Sequence, residues 1–123
     1  MPVDYILANL LATNDGALGA LFLDESGETV DLACSANLTP YQARITGAYL
    51  GIHLRQLEKV CDRNLWGHPR QMHIEKEGLH IYAQGLPEGY YVVLLQSRPG
   101  LVAQARRSLA EAEGDLRREF FDT

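Results

Sequence analysis

Cysteine and long apolar runs are both scarce in this sequence. Its 123 residues include only two cysteines, Cys34 and Cys61, with no CxxC or paired spacing. This pattern favours buried, reduced thiols over a disulfide framework. No apolar run approaches the roughly 20 residues that a membrane-spanning helix needs, and residues 1–4 lack the basic region of a secretion signal. We therefore expect a soluble, cytoplasmic protein with no membrane partner.

Positive charge is also limited. Eleven lysines and arginines stand against 16 acidic residues, which gives a net charge of −5. The basic residues are scattered except near the C-terminus, whereas nucleic-acid-binding domains concentrate them on one surface. Nucleic acid is therefore not expected to be a partner.

The familiar catalytic and cofactor motifs are missing. The glycines in residues 16–19 precede a predicted strand instead of the helix that a phosphate cradle requires, and no G-x-S-x-G elbow is present. His68, His73, His80 and Cys61 do not recur at zinc-ligand spacings, so each histidine is expected to be a surface or partly packed side chain. We predict no catalytic residue, no metal and no cofactor, and hence a protein that is not an enzyme.

The most informative stretch is residues 39–64, which are predicted to form one long helix. Thr39 occupies the N-cap, Pro40 the first helical position, and Gln42 the position of a capping-box partner. The glycine and proline of residues 67–69 cannot continue a helix, so they mark its end.

This helix has apolar residues on two opposed sides, since each residue turns it by about 100°. The Ala43 stripe consists of Ala43, Leu50, Leu54, Leu57 and Cys61. The Tyr41 stripe consists of Tyr41, Ile45, Ala48, Tyr49 and Ile52. A domain of this length buries only about two thirds of its unfolded surface. We therefore expect the chain to cover one stripe and to leave the other for a partner; in a longer chain, burial of both within one core would be preferred.

Five strands are predicted around the helix, at residues 17–23, 29–34, 71–75, 79–84 and 90–95. The first and last are almost wholly apolar, which is typical of central strands covered on both faces. The strands around Val30 and Ile74 alternate and are expected at the sheet edges. Further helices are predicted to start at Val3 and within residues 97–100.

The order helix, hairpin, long helix, three strands and helix resembles the roadblock family of dynein light-chain and bacterial GTPase-regulator domains. Residues 17–27 are similar to the family's apolar strand, acidic turn and glycine. The two-sided helix from Thr39, the strands at residues 79–82 and 91–95, and the closing helix at residues 101–120 extend the resemblance over nearly the whole chain.

The resemblance implies a single roadblock-like domain over residues 1–123. Its expected fold is α/β (α+β), with one five-stranded antiparallel sheet in the order 2-1-5-4-3. The long helix should lie on one face and the two terminal helices on the other, as in a profilin-like layered sandwich. The family dimerises through its third strand and its long helices. That assigns the Tyr41 stripe to the dimer interface, with Gly47 and Gly51 allowing close helix approach, together with the edge formed by Gln71, Met72, His73, Ile74 and Glu75.

The function implied by the resemblance is that of a non-enzymatic homodimeric adaptor. Such a protein binds a Ras-like small GTPase and modulates its nucleotide cycle, including GTPase activation, or its localisation. The alternative is a small-molecule-sensing or scaffold domain of a profilin-like fold, in which Tyr82, Tyr90 and Tyr91 line a pocket.

Overall fold

The computed structural model describes residues 2–97 and 100–121. Their elements follow the predicted order, and the boundaries of four strands agree with the predicted boundaries to within one residue. The elements are α1 (Val3–Ala12), β1 (Ala17–Leu23), β2 (Thr29–Cys34), α2 (Pro40–Arg63), β3 (Gln71–Glu75), β4 (Leu79–Gly85), a 3₁₀ turn (Pro87–Gly89), β5 (Tyr91–Ser97), α3 (Val102–Leu116) and a π-helical turn (Arg117–Phe121).

The strands form one antiparallel sheet in the order β2-β1-β5-β4-β3, so the predicted topology is confirmed. Strands β1 and β5 lie at the centre because their apolar residues can be buried on both faces. Strands β2 and β3 form the two edges, as their alternating sequences predicted.

Helix α2 covers one face of the sheet, and helices α1 and α3 cover the other. Successive β1 residues alternate between the two layers: Leu21 packs in the core beneath α2, whereas Phe22 packs in the core beneath α1 and α3. The α+β sandwich therefore has the layer arrangement that the resemblance predicted.

The final helix differs from the predicted helix at both ends. The predicted start within residues 97–100 includes Arg98 and Pro99, which lie outside the described residues; α3 begins at Val102. Beyond α3, the rings of Phe120 and Phe121 contact Phe22, with centroids 4.9 and 6.2 Å away.

Two further sequence expectations concern thiols and membranes. Cys34 and Cys61 are free but only half-buried, so the prediction of buried thiols is wrong. Cys34 lies on an edge strand, and Cys61 lies near the end of α2, where cover is incomplete. Among residues 2–97 and 100–121, no helix combines the length and apolar character that crossing a membrane requires.

A complete capping box starts α2. The Gln42 backbone N–H donates to the Thr39 hydroxyl at 3.1 Å, and the Thr39 backbone N–H donates to the Gln42 side-chain oxygen at 3.0 Å. Both bonds satisfy donors that have no partner within the helix. The capping box thus fixes where the long helix begins.

Replacing Thr39 by alanine should lower the free energy of unfolding by about 1 kcal/mol, because the Gln42 N–H loses its acceptor. Urea unfolding measures the loss. Thr46→Ala is the matched control: its hydroxyl donates to the Gln42 carbonyl inside the helix, and its removal should change stability by less than about 0.5 kcal/mol. Equal losses in the two variants would contradict a specific role for the cap.

Candidate self-association surface

The Ala43 stripe faces the protein's own sheet over only part of its length. Ala43, Leu50 and Leu54 are buried there, as predicted. Leu57 is 36% exposed and Cys61 is half-buried, so the prediction that they share this cover is wrong. Helix α2 packs mainly over β2 and β1, and toward its C-terminal end it contacts β5 through the Glu58 carboxylate, which accepts a hydrogen bond from the Tyr91 hydroxyl.

The Tyr41 stripe is exposed along its whole length. Tyr41 is 72% exposed, Tyr49 65%, Ile52 44% and Ile45 40%, and Ala48 is also exposed. The described chain therefore covers one apolar side of α2 and leaves the other in solvent, as the length argument predicted. An apolar stripe that includes two tyrosines is a surface suited to protein association.

Gly47 and Gly51 do not lie on the exposed side of α2. A Cβ at Gly47 would lie 3.0 Å from a methyl group of Leu23, and one at Gly51 would lie 2.6 Å from the Cα of Gly27 in the β1–β2 turn. The prediction that these glycines admit a second helix is wrong. They let α2 lie directly on its own sheet and turn.

An apolar patch near the end of α2 was missed from the sequence. It comprises Val60, Leu65 and Trp66, which are 46%, 92% and 72% exposed. Leu65 has a left-handed backbone with φ of +58°, a conformation uncommon outside glycine. The sequence signal for this patch was the pair of large apolar residues directly before Gly67. Because their neighbours are polar, they were interpreted only as part of the end of the helix.

The edge of β3 has a regular backbone pattern. Lys76 and Leu79 exchange both backbone hydrogen bonds, and the Gly85 N–H donates to the Arg70 carbonyl. Hydrogen-bonded pairs alternate along an antiparallel ladder, and the β3–β4 register is unbroken. Odd-numbered residues of β3, with His73 at the centre, therefore direct their N–H and C=O groups toward the edge.

The other edge of the sheet is less suited to strand pairing. Between β1 and β2 the register shifts, so that Phe22 lies opposite Asp31 while Leu23 lies opposite Thr29. Val30 is therefore an extra residue in the ladder, and such a bulge twists and protects an edge. The β3 edge has no bulge and no proline within Gln71–Glu75.

Side chains of β3 alternate as predicted. Met72 and Ile74 are half-buried on the α2 face, whereas His73 lies on the face of α1 and α3. Gln71 donates to the Gln84 side-chain oxygen at 3.0 Å, and Glu75 is exposed opposite His80. Helix α2 packs mainly over β2 and β1, whereas β3 is the opposite edge of the sheet.

A pair of histidines joins β3 to β4. His73 Nε2 and His80 Nδ1 are 2.9 Å apart, and the His73 ring stacks on Tyr82 with centroids 4.5 Å apart. His80 is only 3% exposed, so the expectation of a surface or partly packed side chain is wrong for it. The spacing of the two histidines along the chain does not reveal their contact. The register of a hairpin that turns at residues 77–78 does place the two side chains close together.

The surroundings of His73 favour its neutral form. Burial lowers the pKa of His73 below its ordinary value, and the neighbouring His80 and Arg106 lower it further, while Glu75 acts in the opposite direction. No group of three or more histidine, cysteine, aspartate or glutamate side chains is placed to hold a metal ion in residues 2–97 and 100–121.

The three tyrosines assigned to a pocket do not converge. Tyr82 stacks on His73, Tyr90 packs on Phe22, and Tyr91 lies in the core beneath α2. The protein has a large open cleft of about 1050 Å³, and of the three tyrosines only Tyr91 lines it. Burial and the Glu58 carboxylate raise the pKa of Tyr91. The predicted three-tyrosine pocket is therefore wrong.

Comparisons with known proteins identify the fold. No protein-family model matches the sequence, and no curated protein is a significant match. A roadblock/LC7 domain from Streptomyces avermitilis superposes with a TM-score of 0.85 at 17% identity, over 96% of this chain and 97% of that one. The gliding protein MglB from Thermus thermophilus gives 0.86 at 14% identity, over 98% and 90%.

A further MglB structure, described as having a tetrameric arrangement, gives a TM-score of 0.83 at 14% identity, over 94% of this chain and 85% of that one. Identities this low support a conclusion about the fold. Together with the sheet order, the matches show that the chain has the roadblock fold.

Proposed function

We propose that this roadblock-fold chain, as one domain over residues 1–123, is a non-enzymatic homodimeric adaptor. In this proposal it binds a Ras-like small GTPase and alters the nucleotide cycle or localisation of that GTPase. The observation that carries the proposal is the Tyr41 stripe, which remains exposed after α2 has packed on its own sheet. A stable partner is the usual reason for such a surface.

The dimer uses two surfaces of each chain. The Tyr41 stripe packs against the same stripe of a second copy, and the β3 edge pairs with the β3 edge of that copy to continue the sheet. The unbroken β3 register and the bulge in β2 support the choice of edge. The description of one MglB structure as tetrameric is consistent with self-association in proteins of this fold.

The GTPase is proposed to bind across the paired α2 helices. The patch formed by Val60, Leu65 and Trp66 is exposed beyond the end of the Tyr41 stripe, and we propose that its Leu65 and Trp66 contact the GTPase. An adaptor of this kind acts by binding one conformation of the GTPase switch regions more tightly, which shifts their populations. The chemistry of GTP hydrolysis then belongs to the GTPase.

A binding experiment tests the GTPase assignment. The purified chain, immobilised, is offered Ras-like GTPases of the same organism loaded with GDP or with a GTP analogue. We expect one GTPase to be retained in a nucleotide-dependent manner, and Trp66→Ser to weaken its retention by about tenfold, as loss of an aromatic contact residue does. Tyr5→Ser, which changes an exposed residue of α1, is the matched control. Failure to retain any of them in either state would contradict the proposal.

The open cleft favours small-molecule sensing as a second candidate. It lies between the end of α2 and the end of α3, and its lining includes Glu58, Arg70, Tyr91 and Arg117. A mixture of charged and aromatic groups in a cleft is typical of ligand sites. Native mass spectrometry distinguishes the candidates: a metabolite bound one per chain, and lost in Arg70→Ala, would favour sensing.

A further inference from the structure

The His73–His80 contact contains one hydrogen bond that depends on protonation. At 2.9 Å, one facing ring nitrogen donates its N–H and the other accepts. When both rings are protonated, both facing nitrogens carry hydrogens, so the bond is lost and two cations face each other. The pair accommodates a first proton more easily than a second.

The dimer of the proposed function, on which this inference rests, brings a second such pair close by. Antiparallel pairing of two identical β3 strands aligns all five residues of both strands only when the two-fold axis passes at His73. His73 then lies opposite the partner's His73, in a hydrogen-bonded position where Cα atoms are about 5.5 Å apart. Side chains at paired positions share a face, so four imidazoles line up across the joined sheet.

We propose that the His73–His80 pair makes pairing of the β3 edges sensitive to acid, so that the dimer weakens as the histidines become protonated. Two protonated His73 rings at facing positions repel each other across the two-fold axis. The same repulsion is absent from separate chains, which is why the effect falls on self-association.

The charges around His73 determine how far the pH must fall before this effect begins. Arg106 on α3 adds positive charge, His80 on β4 adds a second ionisable ring, and the Tyr82 ring that stacks on His73 is neutral. Glu75 on β3 partly offsets them. On the α2 side of the interface, His53 is exposed near the Tyr41 stripe and is therefore changed separately in the test.

The sign of the pH effect follows from linkage. Burial and the facing ring lower the pKa of His73 in the dimer relative to the single chain, so association releases protons. Dimer affinity is therefore complete above the His73 pKa of the single chain, which burial, His80 and Arg106 hold below its ordinary value, and declines as the pH falls through it. Each proton released changes the dissociation constant by about tenfold per pH unit.

Sedimentation velocity over a dilution series tests the proposal, at about pH 7.5 and about pH 5, since the lower value has to lie well below the ordinary pKa of imidazole. A chelator is added so that metal release cannot imitate protonation. We expect the dissociation constant of the natural chain to rise about tenfold or more between these values. Circular dichroism at both values confirms that the chains remain folded.

His73→Phe keeps a ring to stack on Tyr82 but cannot be protonated, so the pH effect should shrink to less than about threefold, the remainder arising from other weakly titrating groups. His73→Gln serves if the phenylalanine variant does not fold. His53→Gln is the matched control and should retain the full effect.

The outcomes separate this inference from the function on which it rests. A dimer with one dissociation constant at both pH values overturns the histidine proposal and leaves the dimer intact. Full pH dependence in His73→Phe, or its loss in His53→Gln, also overturns it. A folded monomer at both values overturns the dimer and this inference together.

Discussion

Tyr49→Asp should convert the proposed dimer to a folded monomer. Tyr49 lies in the middle of the Tyr41 stripe and is 65% exposed in the single chain, so the substitution leaves the protein's own core unchanged. In a two-fold interface the change appears on both copies, and two unpaired carboxylates in an apolar contact cost several kcal/mol. Sedimentation measures the mass, and thermal unfolding shows that the fold is retained.

Tyr5→Asp is the matched control for Tyr49→Asp. Tyr5 is 62% exposed, but it lies on α1, on the opposite face of the sheet. This variant should dimerise with the affinity of the natural chain. Undiminished dimerisation of Tyr49→Asp, or a monomer produced by both changes, would show that the Tyr41 stripe is not the specific contact.

Gly51→Ala should destabilise the fold by about 2 to 3 kcal/mol, the upper range for overpacking a close contact. The new Cβ would lie 2.6 Å from the Cα of Gly27, and neither backbone can yield as a side chain can. Helix α2 would have to lift from the β1–β2 turn, which would also disturb the packing of Leu50 and Leu54. Urea or thermal unfolding measures the loss.

Gly114→Ala makes the same substitution in α3, where the new Cβ would meet the end of the Arg118 side chain at 3.6 Å, an ordinary contact distance. Alanine in a helix is about 0.5 to 1 kcal/mol more favourable than glycine, so this control should stabilise the protein. Stabilisation of the same size by Gly51→Ala would mean that α2 does not lie against the turn.

The central and edge strands of the sheet and the two sides of α2 could be predicted because each depends on a repeating local pattern. The full strand order was implied by the resemblance to the roadblock family. Continuous apolar residues in β1 and β5 require cover on both faces, which places these strands at the centre of the sheet. The alternating strand around Ile74 requires cover on one face only, which is typical of an edge. In the same way, a 3.6-residue period assigns Leu54 and Tyr49 to opposite sides of one helix. These assignments need no knowledge of distant contacts.

The remaining details depend on which parts of the chain meet. Gly51 packs within its own chain because the β1–β2 turn passes beneath it at Gly27. Leu57 is 36% exposed although it belongs to the Ala43 stripe, because cover depends on which strands pack beneath that part of the helix. The contact of His73 with His80 requires the β3–β4 register, which spacing along the chain does not display. Local periodicity carries none of these three facts.

The central claim is that the exposed Tyr41 stripe and the β3 edge join two copies of the chain. The mass of the unmodified chain in solution tests this claim most directly. Sedimentation equilibrium at neutral pH over a wide dilution series should give twice the chain mass of 13.7 kDa, falling toward the single value only on strong dilution. A folded species of 13.7 kDa at every concentration would contradict the claim that these surfaces join two chains.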